Sequence, residues 1–336
     1  MSRYILQRLG MLLLILLGVL VITFVISRVL PGSAVEMMLG ARPTEEQIAA
    51  VREQLGLDRS MPEQLLLYIG DTLRGEFGTS LLTKRPVLVE IAERFPATLE
   101  LVFFSLILVV CAGIPMGVSA ALHKNSTSDY AARSVSALGA AMPTFIVAMI
   151  LQLVFSGWLG VLPLQGRIDG LIQLDYEFPT VTGFYTVDSL LAGQWAAFKS
   201  CLLHLIMPVL ALSLSALAII MRITRGMMIE ALGEEFIMTL RAYGLSPRKV
   251  NYGYALKAAL IPLLTVIGMT FGYMLGLSVV VEYVFDWPGI GGFMVGAIVR
   301  SDYPAVMGVT LVLASSYLIA NLIVDLLHFA ADPRLR

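Results

Sequence analysis

Six stretches of this chain stay apolar for the length of a membrane crossing, and nothing else in the sequence restricts the possible folds as much. They lie at about 9–30, 98–122, 134–158, 201–221, 259–285 and 305–328. A helix needs about 20 such residues to cross the hydrocarbon core of a bilayer. Only 14% of the residues are charged and 58% are hydrophobic, whereas soluble domains carry about 25% charged residues. The expected fold class is therefore all-α integral membrane, with six transmembrane helices.

The first stretch follows Arg3 and Arg8, as the core of a signal peptide would. It is too apolar for too long, and no small-x-small cleavage site follows it, so residues 1–30 are expected to be an uncleaved first span. Lysine and arginine in the short connections set the orientation. One side carries Arg3, Arg8, Lys124, Arg133, six basic residues between spans four and five, Arg334 and Arg336. The other carries Arg167, Lys199 and Arg300. Residues 31–97 are also basic, but loops longer than about 60 residues cross largely regardless of charge. Both termini and the 222–257 loop are thus expected to be cytoplasmic.

The remaining segments follow from local signals. Residues 31–97 open with the breaker Pro31-Gly32. Thr44 and Gln47 form a capping box for a helix to about Leu55, and Pro62 starts a second helix to about Leu73. A small helical insertion on the outer face is expected there, followed by a 98–328 core and a short 329–336 tail. Glu100 is expected near the outer end of span two, within reach of water. Pro115 and Gly117 are expected to loosen the inner end of that span, and Pro143 to kink span three. Residues 159–200 read as a solvated outer loop, edged by the interfacial Trp158 and Trp195. Gly268, Gly272 and Gly276 form two overlapping G-x-x-x-G units, a helix-packing signal whose partner lies in this chain or in another. The run from Asp286 to Gly292 breaks regular helix, and Phe293–Val299 reads as a short helix.

One long polar segment, Glu230 to Pro262, interrupts the apolar second half. Leu232, Phe236, Ile237, Leu240 and Tyr243 share one side at helical periodicity. Gly244 ends that helix, Ser246 caps the next and Pro247 opens it. Pattern alone leaves two readings: a helix, a glycine break and a capped helix held on the cytoplasmic side, or a membrane-surface amphipathic helix joining two spans.

Several chemistries are excluded or disfavoured. No G-x-x-x-x-G-K-[ST], H-E-x-x-H or G-x-S-x-G is present. With only His123, His204 and His328 available, no catalytic or metal site is expected. The acids of the 159–200 loop lack ligand spacing. Cys111 and Cys201 sit in apolar stretches and are expected to stay free thiols. A net charge of −1 argues against a nucleic-acid partner.

A set of motifs spread over nearly the whole chain resembles the inner-membrane permeases of binding-protein-dependent ABC importers. The likeness is to the first permease subunit of the dipeptide, oligopeptide and nickel branch. The motifs are Tyr4 to Gly32, Leu55-Gly56-Leu57-Asp58, Gly75-Glu76-Phe77-Gly78-Thr79-Ser80, Pro96-Ala97-Thr98-Leu99-Glu100 and Met142-Pro143-Thr144-Phe145. Further along come Val281-Glu282-Tyr283-Val284-Phe285, Trp287-Pro288-Gly289-Ile290-Gly291 and Asp332-Pro333-Arg334. The polar segment is similar to the family's coupling motif. Gly244 and Pro262 match it, and Met238 stands at its acidic position. Thr239 and Leu240 stand where alanines are usual.

The resemblance implies a type I importer permease architecture, with a periplasmic insertion after span one. It implies a second homologous permease subunit, two cytoplasmic ABC ATPase subunits and a periplasmic or lipid-anchored substrate-binding protein, in a bacterial inner membrane. No cofactor is expected on this chain, and ATP with Mg2+ is expected on the ATPases. Glu235, Phe236, Ile237, Met238, Thr239, Leu240, Arg241, Ala242, Tyr243 and Gly244 become the expected ATPase-coupling residues. Di- or oligopeptides are the expected cargo, with nickel chelates, glutathione or another small solute as alternatives. A channel or ion-coupled transporter is the competing class, and such proteins commonly show internal repeats.

Overall fold

The computed structural model describes residues 2–29, 44–47, 49, 58–175 and 181–331. The expectations placed on Pro31-Gly32, the helix end at Leu55, Leu55 to Leu57, and Asp332 to Arg334 lie outside these residues. The main helices are α1 (Ser2–Val29), α2 (Met61–Leu73), α3 (Val87–Leu122), α4 (Thr127–Ala141) and α5 (Thr144–Trp158). After them come α6 (Gly170–Asp175), α7 (Tyr185–Leu191), α8 (Trp195–Gly233), α9 (Glu235–Ala242), α10 (Lys249–Val284), α11 (Ile290–Val299) and α12 (Tyr303–Ala331). The last turns of α5 and the first of α10 wind wider, as π-helix. Five helices among the described residues are long and apolar enough to cross a membrane, or six if α4 and α5 together make one span.

In that pair the kink expected at Pro143 in the 134–158 stretch is a full break. α4 and α5 meet at 104°. Proline frees a carbonyl one turn back and restricts the residue before it to extended backbone. Met142 has ψ 124° and Pro143 ψ 136°, so the helix stops there and restarts at Thr144.

The chain divides into two compact units, Met1–Pro96 with Pro288–Leu318, and Ala97–Trp287 with Ile319–Arg336. In the first, Thr44 N donates to Gln47 Oε1 at 3.0 Å and Gln47 N to Thr44 Oγ1 at 3.3 Å, which is the reciprocal capping box. Pro62 lies in the first turn of α2, and Ser60 N donates to Glu63 Oε2 at 3.1 Å. The core joins Val87 and Ile91 of α3 to Ile290, Phe293 and Ala297 of α11 and to Ala305 and Val309 of α12. A Cβ on Gly308 would meet Val87 Cγ1 at 2.7 Å, so only glycine allows this approach.

The Gly-Glu-Phe-Gly-Thr-Ser segment folds back through Gly75 at φ +81° and Gly78 at φ +82°. It delivers Ser80 to Asp302, which accepts from Ser80 Oγ at 2.5 Å and from Leu82 N at 3.1 Å. α3 begins at Val87, well before the expected entry at 98. α11 begins at Ile290, so Gly291 and Gly292 are helical, contrary to expectation.

In the second unit, α3 and α8 cross closely. A Cβ on Gly117 would lie 2.7 Å from Met221 O and from Thr224 Cβ, and one on Gly113 would lie 3.1 Å from Ile220 Cγ2. Contrary to the expectation that Pro115 and Gly117 loosen the inner end, α3 runs on through both to Leu122, and Gly117 lets another backbone approach. α4 meets α8 in the same manner: a Cβ on Gly139 would lie 3.0 Å from Leu214 O, and Ser136 Oγ donates to Ala218 O at 3.4 Å. Cys111 and Cys201 are free thiols.

Candidate functional site

Two features of the second unit stand out from a packed helical bundle. The first is α9. Helix α8 runs 39 residues to Gly233, or roughly 58 Å at 1.5 Å per residue, well beyond the ~30 Å hydrocarbon core. Glu234, at φ −67° and ψ 147°, breaks it, and α9 follows. The break corrects the expectation of one amphipathic helix running through Leu232 to Tyr243. The periodicity restarts at Glu235, so Phe236 and Tyr243 do not share the buried side. Ile237 is fully buried, among Val118, Ala121, Met228, Ala231, Val250, Ala255 and Ala259, and Leu240 packs against that cluster. Phe236, Met238 and Tyr243 are 42%, 58% and 80% exposed. Glu235, Thr239, Arg241, Ala242 and Gly244 are exposed as well.

The end of α9 is built as the sequence suggests. Gly244 has φ +76°. Leu245 N donates to Leu240 O at 3.3 Å and Gly244 N to Arg241 O at 2.9 Å, the paired bonds of a Schellman motif. The next helix starts at Pro247, and Val250 N donates to Ser246 O. The result is a one-sided element. Ile237, whose burial is worth about 1.5–3 kcal/mol, and Leu240 hold it to the bundle, while Phe236, Met238 and Tyr243 stay exposed among the described residues.

The second feature is the loop between α5 and α8. Glu100 was expected to reach water; instead it is buried, and so is Arg167. Arg167 Nε donates to Glu100 Oε2 at 2.8 Å, and Thr186 N and Oγ1 donate to Glu100 Oε1 at 2.9 and 2.6 Å. Arg167 also donates to Gly183 O at 2.6 Å and stacks over Tyr185, 3.8 Å from the ring centroid. Asp188 is buried too and accepts from Thr182 N, Thr182 Oγ1 and Gly183 N. Asp169 accepts from Leu171 N and Ile172 N.

The loop is therefore a latched structure, not a solvated strap. Gly166 N donates to Phe285 O, and Gln152 Nε2 bonds both Leu164 O and Val284 O. Its charged residues escaped sequence reasoning because a buried pair across 67 positions leaves no local spacing signal. Trp158 and Trp195, at the loop's two edges, are largely exposed.

The expected packing glycines separate. Gly268 is buried, and a Cβ there would meet Val324 Cγ2 of α12 at 2.8 Å. Gly276 is exposed, with nothing within 4 Å of such a Cβ. Gly272 is half-buried. Among the described residues no group of three or more His, Cys, Asp or Glu is placed to hold a metal ion.

Among the described residues, a set of helices long and apolar enough to cross a bilayer defines a multi-pass membrane protein. The fold agrees. A chain of the MetNI methionine ABC transporter, solved in inward-facing conformations, superposes with a TM-score of 0.52, over 70% of this chain and 93% of that one, at 16% identity. The chain belongs to the family described as the binding-protein-dependent transport system inner membrane component, whose pattern matches residues 113–336, with the family's N-terminal component at residues 1–102.

It is 41% identical to the probable D,D-dipeptide transport system permease protein DdpB of Escherichia coli K12, over 98% of this chain and 96% of the relative. It is 40% identical to the di/tripeptide transport system permease protein DppB of Pseudomonas aeruginosa, over 100% of this chain and 99% of that one. The chain is thus the non-catalytic membrane subunit of a bacterial ABC importer, and membership implies ATPase and binding-protein partners.

Proposed function

We propose that this chain conducts di- or tripeptides as one of two permease subunits, and that α9 docks each stroke of a cytoplasmic ATPase onto the bundle. The observation that carries the coupling role is the division of α9: Ile237 sunk in the core, and Phe236, Met238 and Tyr243 bare. An exposed apolar cluster rimmed by Glu235 and Arg241 suits a protein cleft. The cargo rests on the names of relatives that match over the full length.

In this reading both termini, the 123–126 turn and α9 face the cytoplasm, following the distribution of lysine and arginine. The loop latched by Glu100 and Arg167 then faces a periplasmic or lipid-anchored binding protein. ATP and Mg2+ act on the ATPases, whose closure pushes α9. Residues 31–97 form the periplasmic insertion, and Gly272 and Gly276 are left for packing against the second permease.

The test is the Phe236→Ala/Met238→Ala pair in the assembled transporter. Neither side chain is in the core, so the chain folds. Co-purification of the ATPase and uptake of a labelled dipeptide fall together, by about tenfold or more if the pair behaves as interface anchors. Full ATPase retention with undiminished uptake removes the coupling role. Intact coupling without dipeptide uptake removes only the cargo.

A further inference from the structure

A cavity of about 320 Å3 opens between α4 and α8, lined by Ala132, Arg133, Ser136, Ala137, Arg222 and Arg225. Three of the six lining residues are arginines, whose stems line the mostly apolar wall, and the carboxylate of Asp129 pairs with two of them. Asp129, buried, accepts from Arg133 Nε and Nη2 at 3.3 and 2.8 Å. It also accepts from Arg225 Nε and Nη2 at 2.6 and 3.0 Å, and from Asn125 N at 3.0 Å. Five donors occupy its two oxygens. Nη1 of Arg133 and of Arg225 remain outside this network, and Arg222 makes no ion pair among the described residues.

Three guanidiniums against one carboxylate leave an excess of positive charge at the mouth of the cavity, where Arg222 is exposed. The planar fork of arginine suits the oxygens of a phosphate group. The source of that phosphate follows from the surroundings. One wall, α8, is long and apolar enough to cross a membrane, and the other, α4, belongs to the bent apolar pair with α5. α4 also leaves Tyr130, Val135 and Leu138 exposed, side chains that acyl chains cover and a free anion does not. Basic recesses between membrane helices are a recurrent lipid-headgroup geometry.

We propose that this cavity binds the headgroup of an anionic phospholipid. Arg222 is its unpaired ligand, and Arg133 and Arg225, pre-oriented by Asp129, complete the cradle. The bound lipid neutralises the site and fixes α4 against α8.

The test compares the purified full chain with R222Q, R222K and R300Q, counting phosphatidylglycerol against phosphatidylcholine retained, by native mass spectrometry. Arg222 and Arg300 are both exposed, so R300Q is an equal loss of charge away from the cavity. Phosphatidylglycerol retention falls about fivefold or more in R222Q, partly recovers in R222K and is unchanged in R300Q. Equal retention in R222Q and the unaltered chain overturns the proposal. Displacement of the lipid by inorganic phosphate at equal concentration also overturns it, in favour of a free-anion site. Displacement by a dipeptide overturns it in favour of cargo.

Discussion

Removing either partner of the Glu100–Arg167 pair should unlatch the loop between α5 and α8 while leaving the bundle assembled. Glu100→Ala strips Arg167 of its carboxylate and leaves Thr186 N and Oγ1 without their acceptor. Arg167→Ala leaves a buried carboxylate with only the Thr186 donors. Breaking a buried pair from one side costs about 3–5 kcal/mol, because the remaining charge stays desolvated. At about 1.4 kcal/mol per factor of ten, that raises the population of the open loop by about a hundredfold to several thousandfold.

Thermolysin reads this population. It cuts beside apolar residues such as Leu171 and Leu174, which are largely exposed but held in α6, and cleavage tracks the open fraction when reclosing is fast. The double variant carries no orphaned charge, so its loss is smaller than the sum of the single losses, by a coupling of about 2 kcal/mol or more. Single variants as resistant as the unaltered chain, or single losses that simply add, would falsify the latch.

Three further outcomes follow from particular residues. Gly244→Val, at φ +76° with open space around it, costs about 1–2 kcal/mol through backbone conformation alone; ATPase co-purification drops, and Gly244→Asn restores much of it because asparagine tolerates that region. Gly268→Leu overpacks against Val324 and lowers stability in detergent by about 1–3 kcal/mol, whereas Gly276→Leu does not change the thermal midpoint of the isolated chain. Asp302→Ala removes the acceptor of Ser80 Oγ and Leu82 N and costs about 1–3 kcal/mol, seen as faster proteolysis of residues 75–86.

Hydropathy makes most of the crossings legible, because a bilayer demands length and apolarity and both are additive along the chain. Angle is not additive. The 104° turn at Pro143 hides inside a window whose summed hydropathy is unbroken, and a proline inside α8 or α10 leaves those helices continuous. The close approach at Gly113 and Gly117 was open to the same G-x-x-x-G reading that picked out Gly268 to Gly276, but the proline between them drew attention to a break instead. The ends of α9 were legible because caps are local. Its facing was not, because the stop at Glu234 resets the phase of the helix. The Glu100–Arg167 and Asp129–Arg225 pairs leave no local signal, because in each a partner lies far along the chain, in the loop after α5 for Glu100 and on α8 for Asp129.

That reset has a mechanical consequence for the proposed coupling. The break sets the phase of α9 so that Ile237 faces inward, while Phe236 and Met238, each about 100° away around the helix, face out. A push on the outer face is then carried by Ile237 to Met228 and Ala231 of α8 and to Val250 and Ala255 of α10. Both of those helices are long and unbroken, and packed interiors yield little to compression. In the proposed coupling, an element held by Ile237 and Leu240 between two long helices, and ended by a glycine that fixes its exit, moves its neighbours with it rather than deforming alone.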